Sequence, residues 1–72
     1  MGSSSELSFV VFLLNELAEA WKMSTRDVYF RLEKSGILEN YIKPCYDVLH
    51  TQGAAYLVDD ITQFARERGV LV

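Results

Sequence analysis

Cysteine occurs once in these 72 residues, at Cys45, so no intramolecular disulfide can form and a small stapled scaffold is excluded. A reducing cytoplasm is the compartment this implies. Basic residues are scarce, seven against ten acidic, for a net charge of -3. Phosphate backbones are held by clustered Lys and Arg, so a nucleic-acid module is not the expectation. One histidine and one cysteine fall short of the three or four such ligands that usually build a zinc-stabilised fold. No catalytic or cofactor motif occurs, and neither a small-molecule ligand nor a metal is expected. With one proline and four glycines there is no linker, no repeat and no low-complexity segment beyond the start.

Long apolar runs are also missing. The longest, "FVVFLL" at residues 9–14, is interrupted by Asn15, Glu16 and Glu19. A membrane helix needs roughly 20 mostly apolar residues. No basic segment precedes the run, so it does not read as a signal peptide. "MGSSS" reads as a start and a small polar leader. Residues 1–4 are expected to be disordered and 5–72 to form one helical domain.

What the chain does have is apolar content, half of its residues. A domain this short buries roughly 60% of its unfolded surface and is marginal on its own. Its single core supplies about 3–5 kcal/mol, which small domains often supplement by association. Six apolar residues in a row therefore raise a question about what covers them.

Helical periodicity answers most of it. Helix 1 is expected from about Ser5 to Lys22, capped by Ser3 with Glu6, or by Ser5. Phe9, Val10, Leu13, Leu14, Leu17, Ala20 and Trp21 share one broad face. Asn15, Glu16 and Glu19 share the other. Phe12 lies about 130° from the centre of the apolar face at 100° per residue, and Val11 at the opposite border. Ser24 and Asp27 start helix 2 as a cap pair. Val28, Tyr29 and Leu32 face inward, Gly36 ends the helix in the left-handed region, and Ile37 folds back on Leu32. Phe30 projects away, beside Arg26, Glu33 and Lys34.

"ILENYIKPCYDVLHT" keeps helical spacing at Leu38, Tyr41, Ile42, Cys45, Val48 and Leu49. Pro44 opposes a straight helix, lacking an N–H and clashing one turn back. The expected form is a single turn over 38–42, then helix 3 from Pro44 to His50 with Pro44 first. A Pro-kinked continuous helix is the alternative. Helix 4 is capped by Thr51 and stopped by Gly69. Its inward face is Ala54, Leu57, Val58, Ile61, Phe64 and Ala65. Tyr56, Asp59, Asp60, Gln63 and Glu67 face water. The fold class is all-α, a small bundle of about four short helices around a central N-terminal helix. Phe9, Leu13, Leu17, Trp21, Leu32, Leu49, Leu57, Ile61 and Phe64 should form the core.

The ordered string "MSTRDVY", "KSGILENYI", "PCYDVLH" and "DVLHTQGAAYLVDDI" resembles a family of short bacterial proteins, domain of unknown function 3791, over roughly residues 9–69. The resemblance implies a small stand-alone helical protein with no established catalytic residues. It also implies a partner or antitoxin role, because such genes often lie beside an ADP-ribosyltransferase-like toxin domain. Phe30 stands where the family pattern is expected to be polar, so no family function is placed there.

The chemistry-bearing residues read plainly. Cys45 and His50 are five apart, about 140° round a helix, which suits a core cysteine and a helix-end histidine better than a reactive pair. Adjacent Asp59 and Asp60 read as a solvated acidic edge rather than a catalytic pair across a cleft. Arg26, Arg31 and Lys34 on the outer side of helix 2 are the features that would serve a recognition helix. The leftover aromatic and apolar residues mark a candidate partner surface: Val11, Phe12, Phe30 and Tyr56, with Tyr46 and the "VLV" tail as further members. Phe12 is expected to stand outside the intramolecular core and, with Val11 and the tail, to meet a partner or a second copy. The function these readings favour is a protein-interaction module acting on a protein partner or its own copies. A DNA-binding helix–turn–helix-like regulator is the alternative, and an enzyme ranks last.

Overall fold

The structure, a computed structural model, describes residues 2–70. Its elements are α1 (Gly2–Trp21), α2 (Thr25–Ser35), a π-helical turn (Leu38–Ile42), α3 (Tyr46–Leu49) and α4 (Ala54–Glu67). No strand forms among the described residues. The fold is the expected small all-α bundle, with α1 packing against both α2 and α4. Twenty residues at 1.5 Å each make α1 about 30 Å long, which accounts for most of the 36 Å long axis. It begins at Gly2 rather than Ser5, taking in residues expected to form a leader. The caps expected of Ser3 and Ser5 fall on side chains outside those described.

Local stereochemistry sets the helix ends. Lys22, at φ 56°, is in the left-handed region. The Met23 N–H reaches back to the Ala18 carbonyl at 3.1 Å, closing α1 as a Schellman-type turn. Ser24 caps α2 as expected, its Oγ accepting from the Asp27 N–H at 3.1 Å. Gly36 closes α2 at φ 83°. That positive φ is what favours glycine here; a Cβ would also meet the end of the exposed Asn40 side chain at 2.8 Å, which is free to swing aside. Thr51 does not cap α4. That place belongs to Gly53, without a side-chain bond, while Thr51 Oγ1 donates to the Val48 carbonyl at the end of α3.

Pro44 neither starts nor kinks a helix. It lies in the turn between the π-helical segment and α3, which begins at Tyr46. Before it, the Lys43 N–H bonds to the Leu38 carbonyl at 3.0 Å, five residues back. This wider turn ends the α-type ladder ahead of the residue that could not have joined it. It also shifts the helical phase. Leu49 takes the inward position and Val48, expected inside, is 62% exposed.

The core joins Leu13, Leu17 and Ala18 of α1, Val28 and Leu32 of α2, Ile37, Leu38 and Ile42 of the bend, Leu49 of α3, and Leu57, Ile61 and Ala65 of α4. Six of the nine expected core residues are fully inside. Phe9, Trp21 and Phe64 are half-buried and pack against this cluster. Tyr29, expected inward, is 42% exposed and bonds to Glu33 at 2.9 Å. Ala20, also expected inward, is exposed. The centre of the α1 apolar face falls between Leu17 and Leu14 rather than toward Ala20, which brings Ala18 inside instead.

Candidate functional site: the α1–α4 groove and the outer face of α2

The apolar run is not covered all round. Leu13 is buried and Phe9, Val10 and Leu14 are half-buried, while Val11 is 48% and Phe12 45% exposed. These two do not form one patch. They stand about 100° apart on α1, with Ser8, Asn15 and Glu19 between them. Val11 continues the line of Leu7 four residues earlier. Leu7 and Val10 line a groove with Glu6, Tyr29, Leu38 and Lys43, about 350 Å³ in volume. The Glu39–Lys43 ion pair at 3.0 Å lies beside it. Of the "VLV" tail, Val70 packs on the core and its carbonyl accepts from Arg31 at 2.9 Å. Leu71 and Val72 lie outside the described residues.

Phe12 belongs to the other side of α1. One turn on is Glu16, which with Glu19, Ala20, Ala55, Val58 and Asp59 lines a shallow groove of about 360 Å³ between α1 and α4. Its walls carry three carboxylates. Ala20, Ala55 and Val58 supply its apolar lining, the two alanines exposed and Val58 half-buried. Tyr56, 60% exposed, stands beyond Asp59 toward the solvent pole of α4. Phe30 lines neither groove. It is 57% exposed, on the side of α2 opposite buried Val28 and Leu32. The Lys34 ammonium sits 5.7 Å from its ring centroid. Phe12 and Tyr56 thus border one region, while Val11 and Phe30 occupy two others.

The titratable residues settle into structural roles. Asp60 is not part of a solvated edge. It is half-buried and accepts from the Tyr41 hydroxyl at 2.5 Å. That hydrogen bond, then burial, then the carboxylate charge push the Tyr41 phenol from 10.0 up to about 12. Nothing in the sequence spacing flagged this pair, since Tyr41 and Asp60 are 19 residues apart. Arg31 is turned to the Val70 carbonyl and Arg68 stacks 5.0 Å from the Phe64 ring centroid. Cys45 is half-buried against the core. His50 Nδ1 donates to the Tyr46 carbonyl at 2.7 Å, the carbonyl being only an acceptor, and its ring stacks on Tyr46 at 4.6 Å. Tyr46 in turn meets Phe9 edge-on at 5.5 Å. Among the described residues no three His, Cys, Asp or Glu side chains gather as metal ligands would. None of the helices described is long and apolar enough to cross a membrane.

A family profile described as "Protein of unknown function (DUF3791)" matches residues 8–68. The chain belongs to this family. No curated protein and no solved structure matches it. The match takes in every helix end described above except the start of α1, so the α1–α4 groove and the α2 outer face lie within the family segment, whereas Glu6 and Leu7 of the other groove precede it.

Proposed function

We propose that this DUF3791 protein is a protein-interaction module whose binding surface is the α1–α4 face. The observation that carries the reading is the groove itself. Apolar Ala20, Ala55 and Val58 line it together with the carboxylates of Glu16, Glu19 and Asp59, and exposed Phe12 stands one turn before Glu16 on α1. Such a surface suits a partner segment with an apolar side chain flanked by cations: the apolar lining takes the apolar group and the carboxylates pair with its neighbours. The family resemblance implies that the partner is a toxin-type protein encoded nearby, which this chain would regulate or neutralise in the cytoplasm.

Co-expression with the tagged product of the neighbouring gene tests this. Wild type should co-purify. Phe12→Asp should weaken the complex on the order of tenfold or more, as loss of an interface aromatic does, and leave the melting temperature nearly unchanged. A complex indifferent to Phe12→Asp would remove this face from consideration. A collapsed fold, as a buried unpaired charge produces, would show that Phe12 belongs to the core.

The DNA-binding reading has one observation in its favour, the outward placement of Arg26 and Lys34 on α2. Arg31 is held by Val70, and Asp27 and Glu33 share the exposed surface of the helix, so the support is thinner. Tight binding in an anisotropy titration that weakens steeply with salt would promote it.

A further inference from the structure

The α2 outer face carries a stripe that matches the α1–α4 groove. Arg26, Phe30 and Lys34 are spaced four apart, so they line up along one side of the helix over about 12 Å. All three are exposed, and the apolar member stands between two cations. Phe30 points away from the buried Val28 and Leu32 and stays 57% exposed, with the Lys34 ammonium over its ring at 5.7 Å. The groove offers the reverse pattern: apolar residues together with carboxylates on α1 and α4.

From this complementarity we infer that the occupant of the groove is a second copy of this chain, docking by its Arg26–Phe30–Lys34 stripe. The inference rests on the α1–α4 face being the binding surface. Phe30 enters over Ala20 and Ala55, and Arg26 and Lys34 pair with the carboxylates of Glu16, Glu19 and Asp59. The contact is heterologous, since each copy contributes a different surface and keeps its other surface free. Three side chains in a shallow groove bury less than the about 1,200 Å² typical of stable interfaces. The association is therefore weak, driven by concentration and low ionic strength. A tighter protein partner would compete for the same groove, which makes the self-contact a placeholder that partner binding displaces.

Sedimentation of the full chain on its own tests the inference, with two variants made at exposed positions. The stripe variant is Arg26→Glu with Phe30→Ser; the groove variant is Glu19→Lys with Asp59→Lys. Circular dichroism melts confirm that each is folded. At about 1 mM protein and 10 mM salt, where the screening length is about 30 Å, the average mass of wild type should rise with concentration and fall back in 1 M salt. Each variant alone should remain a monomer. Mixed in equal amounts they should form a 1:1 dimer that grows no further, because the groove variant keeps its stripe and the stripe variant keeps its groove. A wild type that stays monomeric throughout overturns the inference, as does association that survives in either variant alone or a mixture that stays monomeric. A monomeric wild type that still captures the neighbouring gene product would refute self-docking and leave the interaction surface standing. A self-associating chain that captures nothing would leave the groove standing as a self-docking surface and refute the neighbouring gene product as its partner.

Discussion

Trp21 at the end of α1 donates its indole N–H to Thr62 Oγ1 of α4 at 2.8 Å, joining residues 41 apart in sequence. The bond lies at the inner edge of the α1–α4 contact and is partly buried. Thr62→Val keeps the shape and removes the acceptor, leaving the indole N–H without a partner. The expected loss is about 1–3 kcal/mol. A denaturant titration followed by tryptophan fluorescence reads both the loss and any change in the indole environment. An unchanged midpoint would mean that water replaces the hydroxyl without penalty.

Leu17 is completely buried at the centre of α1, where α2 and α4 both pack. Leu17→Ala should destabilise by about 2–5 kcal/mol. In a domain of this size that is most of the available stability, so a largely unfolded variant at 37 °C is expected. A melting temperature within a few degrees of wild type would show that α1 is not the centre of the core.

Lys22 holds a left-handed conformation, φ 56°, that disfavours every residue with a Cβ. The cost for L-residues is roughly 1–2 kcal/mol, against about 0.5–1 kcal/mol of extra chain entropy that glycine loses on folding. Lys22→Gly should therefore be neutral to stabilising by up to about 1.5 kcal/mol. Lys22→Val, branched at Cβ, should destabilise. Chemical denaturation of the two variants side by side gives the sign directly, and a destabilised glycine variant would contradict the strain.

The Tyr41–Asp60 bond makes stability fall at high pH. The folded state holds the Tyr41 phenol neutral to about 12, above its ordinary 10.0. Its contribution is complete below pH 10 and is lost as pH rises toward 12, because the unfolded chain ionises first. Ultraviolet titration should show Tyr41 ionising late, beside a smaller upward shift of Tyr29, whose hydrogen bond to Glu33 also raises it. Asp60→Asn removes the charge and weakens the acceptor, and should bring that titration back toward 10. A late titration that persists in Asp60→Asn would assign the shift to burial instead.

The helix ends and inward faces were legible because they obey local rules. Ser24 and Asp27 are three apart, Gly36 and Gly69 take positive φ where L-residues resist it, and Leu57, Ile61 and Ala65 repeat at helical spacing. The outward placement of Phe12, Phe30 and Tyr56 followed from the same periodicity. The region after Gly36 was misread at its boundaries. A single five-residue hydrogen bond there shifts the phase, and periodicity assumes that the phase is constant. That shift exposed Val48.

What only the tertiary structure decided is which surplus groups found partners. Asp60 left the solvated edge to accept the Tyr41 hydroxyl's hydrogen bond, Arg31 left the outer basic face for the Val70 carbonyl 39 residues away, and Glu16 and Asp59 came to line one groove. Each depends on where α4 packs against the rest of the fold. That placement is set by the summed packing of Leu13, Leu17, Leu57 and Ile61, a term that no pair of sequence neighbours contains. The sequence by itself determined that the chain is helical and which faces of α2 and α4 carry Val28, Leu32, Leu57 and Ile61 inward. The packing of those helices determined which outward residues became a groove, which became a stripe, and which were taken up within the fold.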